Sequence, residues 1–401
     1  MLRPVLLSFL LLTCIDAAAE TRGFSLADAQ LEPLSWQQLD GWAADDHAAA
    51  LRIFVRSCRA AAGRKSRSPT DVRTLDAALL RVCRGAAAAS PPRARAFFER
   101  HFRPMHIARL GESQGFLTGY YEPVVEGSRT RTAEFNVPVY GRPLDLVSMA
   151  PAEDSNFSNK GAVYRRDGTG ALVPYFDRAA IEDGALEGRG LEICWLKDPI
   201  DAFFMQIQGS ARVRLQDGSV LRLNYAAHNG YPYTPVGRIL IDQGQVPREE
   251  MSMDRIRQWM QGNPAGTKEL RRQNRSFVFF HEAKLKADEE AIGGQGIPLA
   301  AGRSIAVDRK LHAYGTPFWI EAELPLNATQ STDRFRRLLI AQDTGSAIVG
   351  PARADIYFGA GLEAGTVSGR IRHPGRFIML IPNTIRLGIT VKRVPSPRPR
   401  P

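Results

Sequence analysis

Between residues 276 and 381 the chain is cut into short apolar, β-rich segments: Ser276 to Phe280, Ser304 to Asp308, Phe318 to Glu321, Leu338 to Gln342 and Phe377 to Ile381. Many adjoin a Gly or Pro, and segments this short favour strands over core helices. That rhythm predicts a small closed or nearly closed β-barrel, an architecture that leaves no exposed edge strands. The chain begins differently. From Ser35 to about Arg109, Leu39 and Trp42, then Leu51 and Phe54, then Leu75, Leu79 and Leu80 fall mostly three or four apart, a helical pattern broken at Pro91-Pro92 before a helix over Ala94 to His101. After Gly111 the character turns to strands, starting with Phe116 to Pro123. Alternation in Ala211 to Leu215, the turn at Asp217-Gly218 and the run Val220 to Leu223 predict a hairpin, and helices are expected at Val236 to Gln243 and Met253 to Gln261.

The first residues follow the layout of a secretory signal: Arg3, an apolar run from Val5 to Leu12, and small residues at Ala17 to Ala19. Cleavage after Ala19 predicts a periplasmic, exported protein, since the apolar run is too short to span a bilayer. Leu11-Leu12-Thr13-Cys14 also sketches a lipoprotein box, in which a lipidated Cys14 would attach the chain to the outer membrane. Lys and Arg outnumber Asp and Glu by 53 to 42, a net +11 that suits a polyanionic partner. Basic residues are scattered without a recognition-helix or zinc-finger spacing, and export makes nucleic acid a weaker candidate than acidic cell-wall polymer; a solvated basic surface accounts for the charge equally well. An oxidising compartment would permit a bridge between Cys58 and Cys83, which lie in two similar helical stretches. Cys194, between Ile193 and Trp195, reads as a buried thiol.

Three aspartates stand at strand ends or turns of the last part: Asp308, Asp343 and Asp355. An aspartate there ordinarily caps a turn. Asp343 and Asp355 are spaced twelve positions apart, and a loop between them, Thr344 to Ala354, allows both carboxylates to face one groove. Asp343-Thr344-Gly345 also matches the aspartic peptidase signature, but that chemistry needs two aspartates sharing a proton and the tripeptide occurs once. No H-E-x-x-H, P-loop, G-x-S-x-G or Cys-x-x-Cys pattern is present. His228 and His281 lie near the candidate groove strings, and His312 beside Tyr314 reads as structural.

Four strings, Thr118 to Pro123, Asp201 to Ser210, Ala341 to Ile348 and Asp355 to Gly359, together resemble the membrane-bound lytic murein transglycosylase A family over nearly the whole mature chain. The resemblance implies a mainly β fold with α elements. A double-psi β-barrel domain with N-terminal helices (20–123 and 273–395) is interrupted by an inserted second β-barrel domain (124–272), followed by a Pro/Arg tail (396–401). Asp308, Asp343 and Asp355 match the three aspartates of the barrel unit. By that match Asp355 is the single catalytic acid, Asp343 its support and Asp308 the more structural member.

The implied reaction cleaves the β-1,4 bond between N-acetylmuramic acid and N-acetylglucosamine in peptidoglycan. The acid protonates the leaving oxygen, and the sugar's own 6-hydroxyl closes a 1,6-anhydro ring. A tethered nucleophile replaces the second carboxylate of most glycosidases, and no metal or cofactor is needed. An ordinary aspartate is almost wholly ionised at pH 7, so Asp355 requires a pKa raised by about two units, roughly 2.7 kcal/mol. Arg353 opposes that rise if it points inward. Tyr120 and Tyr121 are expected to pack on sugar rings, with Gln206, Gln208, Ser210 and Asn229 as hydroxyl and acetamido contacts. Gln206 and Gln208 are read as one face of a strand. The partner is the peptidoglycan glycan strand, acted on by a monomer. A non-catalytic wall-binding barrel is the alternative reading.

Overall fold

The computed structural model describes residues 24–62, 70–149, 163–327 and 332–387. The expected signal (1–19), Cys14 and the Pro/Arg tail (396–401) lie outside the described residues.

Six strands close the first barrel: Arg372–Pro382, Pro317–Leu324, Asp333–Asp343, Ser304–Val307, Arg353–Ala360 and Gly115–Glu122, the last pairing back onto the first. Closure depends on a change of partner along Arg372–Pro382. Its start, Arg372 to Gly375, pairs with Gly115 to Thr118, whereas Phe377 to Pro382 pair with Phe102 to Ile107. One strand thus both seals the barrel and carries the extension formed by Phe102–Arg109 and Ala29–Pro33. Ile305, Val307, Ile320, Leu338, Ile340, Ala354, Ile356, Phe377 and Met379 belong to the core cluster on one face of these strands. The spacing of two, as in Ile305/Val307 and Ala354/Ile356, is the period expected of strands with one buried face.

Three helices, His47–Ala61, Thr70–Ala86 and Ala94–His101, pack against this barrel. Asp46 caps the first by accepting from the Ala49 amide, and Leu51, Phe54, Leu75, Leu79 and Phe98 join the barrel core. A disulfide joins Cys58 to Cys83, with Cα atoms 5.3 Å apart. The first helix is also pinned by polar contacts. Gln342 donates to Ser57 Oγ at 2.8 Å, and Gln295 donates to the Ser57 carbonyl at 3.0 Å.

The second sheet runs Val278–Glu282, Val220–His228, Ser210–Leu215, Val124–Ser128, Glu192–Leu196, Val137–Tyr140. A bridge between Gly141 and Phe280 joins its two edges, so this sheet also closes, around Val125, Val139, Leu196, Val213, Leu221 and Phe280. All its strands lie between Val124 and Glu282, while strands on both sides of that stretch build the first barrel. The fold is therefore mainly β with α, one barrel inserted into another.

Two sequence expectations need correction. The segment Ser276 to Phe280 was assigned to the last barrel, with a boundary at 272/273; instead Val278–Glu282 pairs with Val220–His228 and completes the inserted sheet. Both barrels use the same alternating pattern, so the segment's partner is not written in its own residues. Gln206 and Gln208 lie on a helix, Pro199–Gln208, and not on a strand. Asp198 caps the Ile200 amide, Pro199 opens the first turn and Gly209 ends the helix at φ 81°. Those termini decide the matter.

Candidate active site

The strand register builds the site. Ala306, on Ser304–Val307, pairs with Asp343 on one side and with Asp355 on the other, and Asp355 pairs in turn with Thr118. These four residues form one row across four adjacent strands. Residues directly opposite one another share a face; their neighbours Ile305, Val307, Ala354, Ile356 and Leu117 point into the core, so the row lies on the other face. Two strand spacings put the backbones of Asp343 and Asp355 about 10 Å apart. The register slips between Ile305 and Ala306 on the Asp343 side. Irregularities of this kind re-aim side chains beside active sites.

Asp343 is held by three donors. Tyr120 Oη donates to Oδ2 at 2.7 Å, and the amides of Gly294 and Thr344 donate to Oδ1 at 2.7 and 2.8 Å. Burial pushes its carboxyl above the usual range, and these three bonds restrain the rise. Gly294 is required here: a Cβ on it would come within 2.3 Å of Tyr314 Oη and 3.3 Å of Asp343 Oδ1. Asp355 receives a single hydrogen bond, from Thr118 Oγ1 to Oδ1 at 2.8 Å. Dense surroundings push its carboxyl up to about 6, against the pull of Arg353 and of Thr118, with Asp343 adding to the rise. Part of Asp355 stays open to solvent. Asp343 and Asp355 share no hydrogen bond among the described residues, so the proton-sharing pair of an aspartic peptidase is not built here.

Asp308 is bonded to a different set of groups. It is buried, accepting from the Lys310 amide at 2.9 Å and the Gly350 amide at 2.9 Å, and so ties together the loops that follow two barrel strands. His312, buried beside it, bonds the Pro351 carbonyl at 2.9 Å, and burial lowers its pKa to about 4.

Residues 116–281 match the family model described as the MltA specific insert domain, and residues 303–381 match the 3D domain. The membrane-bound lytic murein transglycosylase A of Vibrio cholerae is 37% identical over 273 residues, 66% of each chain. The chain thus spans just under two thirds of the length of that curated relative. The crystal structure of a membrane-bound lytic murein transglycosylase from Agrobacterium tumefaciens superposes with TM-score 0.78 at 36% identity, covering 88% of this chain and 98% of that one. This chain belongs to the lytic murein transglycosylase A family. The E. coli MltA structure with bound chitohexaose is also similar, with TM-score 0.62 at 27% identity over 90% of this chain and 95% of that one.

In this MltA-family chain the expected sugar contacts separate into groups. Tyr120 is committed to Asp343 and packs on Tyr357, ring centroids 5.2 Å apart. Tyr121 and Gln208 meet: the Tyr121 amide donates to Gln208 Oε1 at 3.1 Å, while Gln208 Nε2 donates to the Met253 sulfur. Ser210 is buried at the start of its strand. Gln206 does not join the row of aspartates. It accepts from Arg178 Nη2 at 2.7 Å and lines a separate cavity of about 240 Å³ with Phe203, Phe277 and Lys268. Asn229 is corrected to a structural residue: 1% exposed, it donates to the carbonyls of Phe176 and Arg275 and accepts from the Phe277 amide.

Sequence reasoning missed the residues that serve the aspartates rather than bind sugar. Thr118 and Gly294 are two of them; the Gly293-Gly294-Gln295-Gly296 run was the available signal for a close backbone approach. Also missed is Glu122, fully buried where the chain crosses between barrels. It accepts from Arg212 Nε at 2.7 Å and Arg222 Nη2 at 3.1 Å; Arg212 also reaches Glu290 at 2.9 Å, which accepts from Tyr357 Oη at 2.9 Å. That chain of bonds ties the inserted barrel to the strand bearing Asp355.

Proposed function

We propose that this chain is a peptidoglycan lytic transglycosylase in which Asp355 is the single acid and base. The observation that carries this reading is the unequal donor supply to the two carboxylates. Three donors favour ionised Asp343, whereas one donor and a pKa of about 6 leave Asp355 able to carry a proton. At pH 7 about a tenth of such molecules are protonated, enough for a general acid. Protonated Asp355 gives its proton to the oxygen between N-acetylmuramic acid and N-acetylglucosamine, and the bond to the anomeric carbon breaks. The 6-hydroxyl of the same muramic acid attacks that carbon, and its proton passes to the Asp355 carboxylate. The acid is regenerated and a 1,6-anhydro end remains. Ionised Asp343 favours the positive charge that develops on the sugar ring.

The glycan would lie over the aspartate row, with Tyr121 and Gln208 beside it on the side of the inserted barrel. The enzyme acts from chain ends, as a monomer, in the periplasm, and Cys14 supplies an outer-membrane anchor if lipidated. Among the described residues no helix is long and apolar enough to cross a membrane. The test is to digest purified murein and weigh the muropeptides. Products one water lighter than hydrolysis gives are expected; ordinary reducing ends would exclude the cyclisation.

A further inference from the structure

We infer that Thr118 is a positioning residue that places the acidic proton of Asp355 on Oδ2 and couples the carboxyl to Arg353. The inference rests on the reading of Asp355 as the acid. Arg353 Nη2 lies 2.7 Å from Thr118 Oγ1, and Thr118 Oγ1 lies 2.8 Å from Asp355 Oδ1. A guanidinium only donates, so the Thr118 hydroxyl must accept from Arg353, and its single proton is left for Asp355. Oδ1 therefore already faces a hydrogen. A carboxyl proton on Oδ1 would confront it, so the proton resides on Oδ2, which accepts no hydrogen bond from the described residues. The row geometry makes this arrangement rigid, because Thr118 is registered directly opposite Asp355 on the adjacent parallel strand.

Arg353 is itself held in place. It donates to the Ala354 carbonyl and stacks over Phe116, 5.6 Å from the ring centroid. Once Asp355 has given up its proton, the Thr118 bond becomes charge-assisted and strengthens, with Arg353 polarising the hydroxyl from behind. The interaction is thus stronger as the transition state develops than in the resting acid, which is the condition for it to raise the rate. The charged and titratable groups around Asp355 are Arg353 on its own strand, Asp343 beyond Ala306, and the Tyr120 phenol. Of these, only Arg353 acts through Thr118.

The test is the pH profile of kcat/KM for release of anhydro-muropeptides by the full chain, in Thr118→Val and Thr118→Ser. Thr118→Val is expected to lower the rate at the optimum at least about ten-fold and to move the alkaline limb up by about one pH unit, because a donor to the ionised form is lost. Thr118→Ser should restore both. A Thr118→Val enzyme with an unshifted limb, or a Thr118→Ser enzyme no better than Val, overturns the inference. If Thr118→Val is too slow to profile, carboxyl-carbon NMR titration of Asp355 in the folded variant reads the same shift, and an unshifted titration overturns it equally. Asp355→Asn is measured alongside. If it remains active, the assignment of Asp355 as acid fails; if it is inactive while the Thr118→Val limb stays put, only the role of Thr118 fails.

Discussion

Asp343 and Asp355 are registered to the same residue, Ala306, from the two strands that flank it. The pair is therefore fixed by backbone hydrogen bonding rather than by loop conformation, at a separation where the Asp343 charge adds to the rise of Asp355 without the two sharing a proton. The consequence is a division of roles set by surroundings: Asp343 is saturated with donors, and Asp355 is not. Environment-driven separation of two carboxylates is the usual way a site obtains one protonated group near neutral pH.

Activity should follow the protonation of Asp355. With its carboxyl pushed up to about 6 by burial, kcat/KM is expected to be high at and below that pH and to fall about ten-fold per unit above it. Initial rates on purified sacculi from pH 4.5 to 8.5 measure this. Asp355→Asn should abolish release at every pH, while sedimentation with sacculi shows binding retained.

Stability should also fall as pH rises, over a lower window. Between the ordinary value of 3.8 and about 6 the folded protein holds a proton on Asp355 that the unfolded chain has lost. Stability contributed by this group therefore falls as pH rises through that window and stays lower above it. The full difference is at most about 3 kcal/mol and is reduced by the solvent that still reaches the carboxyl. Asp355→Asn carries no such penalty. Thermal melts should show the variant more stable than the parent at pH 7.5, with the gap closing below pH 4; an equal gap at both pH values would contradict the burial argument.

Tyr120→Phe removes one of the three donors to Asp343 and keeps the ring that packs on Tyr357. Loss of a hydrogen bond to a charged group costs about 1.5–3 kcal/mol. Asp343 is then less readily ionised, so the rate at the optimum should drop roughly ten-fold or more, and the melting temperature should fall by a few degrees. Parallel assays and melts separate the two effects.

Much of this was legible in the chain itself. Asp343 and Asp355 lie in strings specific enough to carry a family resemblance, and the hairpin of Ala211 to Leu223 followed from alternation and Asp217-Gly218. What was hidden depended on distant partners. Gln206 and Asn229 are polar residues of the sort that bind sugars, yet Arg178 and backbone groups of Phe176, Arg275 and Phe277 claim them. In the sequence Thr118 is one residue of a string; its meaning comes from a strand 235 residues away, where Arg353 sits. Likewise Val278–Glu282 reads as a strand from its own residues, but only pairing with Val220–His228 places it in the inserted barrel.

The Cys58–Cys83 bridge closes a loop of 25 residues between the first two helices. In the chain-entropy account a loop of that size contributes about 3 kcal/mol. A Cys58→Ser/Cys83→Ser double variant should therefore melt several degrees lower. Because the first helix meets the strand of Asp343 through Ser57 and Gln342, and not through the sulfurs, specific activity at 25 °C should stay close to that of the parent.

Gly294→Ala tests the cradle of Asp343 most directly. The added methyl would sit 2.3 Å from Tyr314 Oη, far inside contact distance, and 3.3 Å from Asp343 Oδ1. Tyr314 is stacked under Arg309, whose guanidinium carbon lies 3.6 Å from the ring centroid, so the ring cannot simply swing aside. The backbone at 294 should yield instead, lengthening the 2.7 Å amide bond to Asp343. Overpacking of this kind costs about 1–3 kcal/mol, and a weakened donor makes Asp343 harder to ionise. The expected result is a lower melting temperature together with a rate loss. Replacing Tyr314 by Phe in the same background removes the clashing oxygen and should recover part of both. If Gly294→Ala loses stability but keeps full activity, the Gly294 amide is not needed to hold Asp343 for the reaction, and Tyr120 and Thr344 alone suffice.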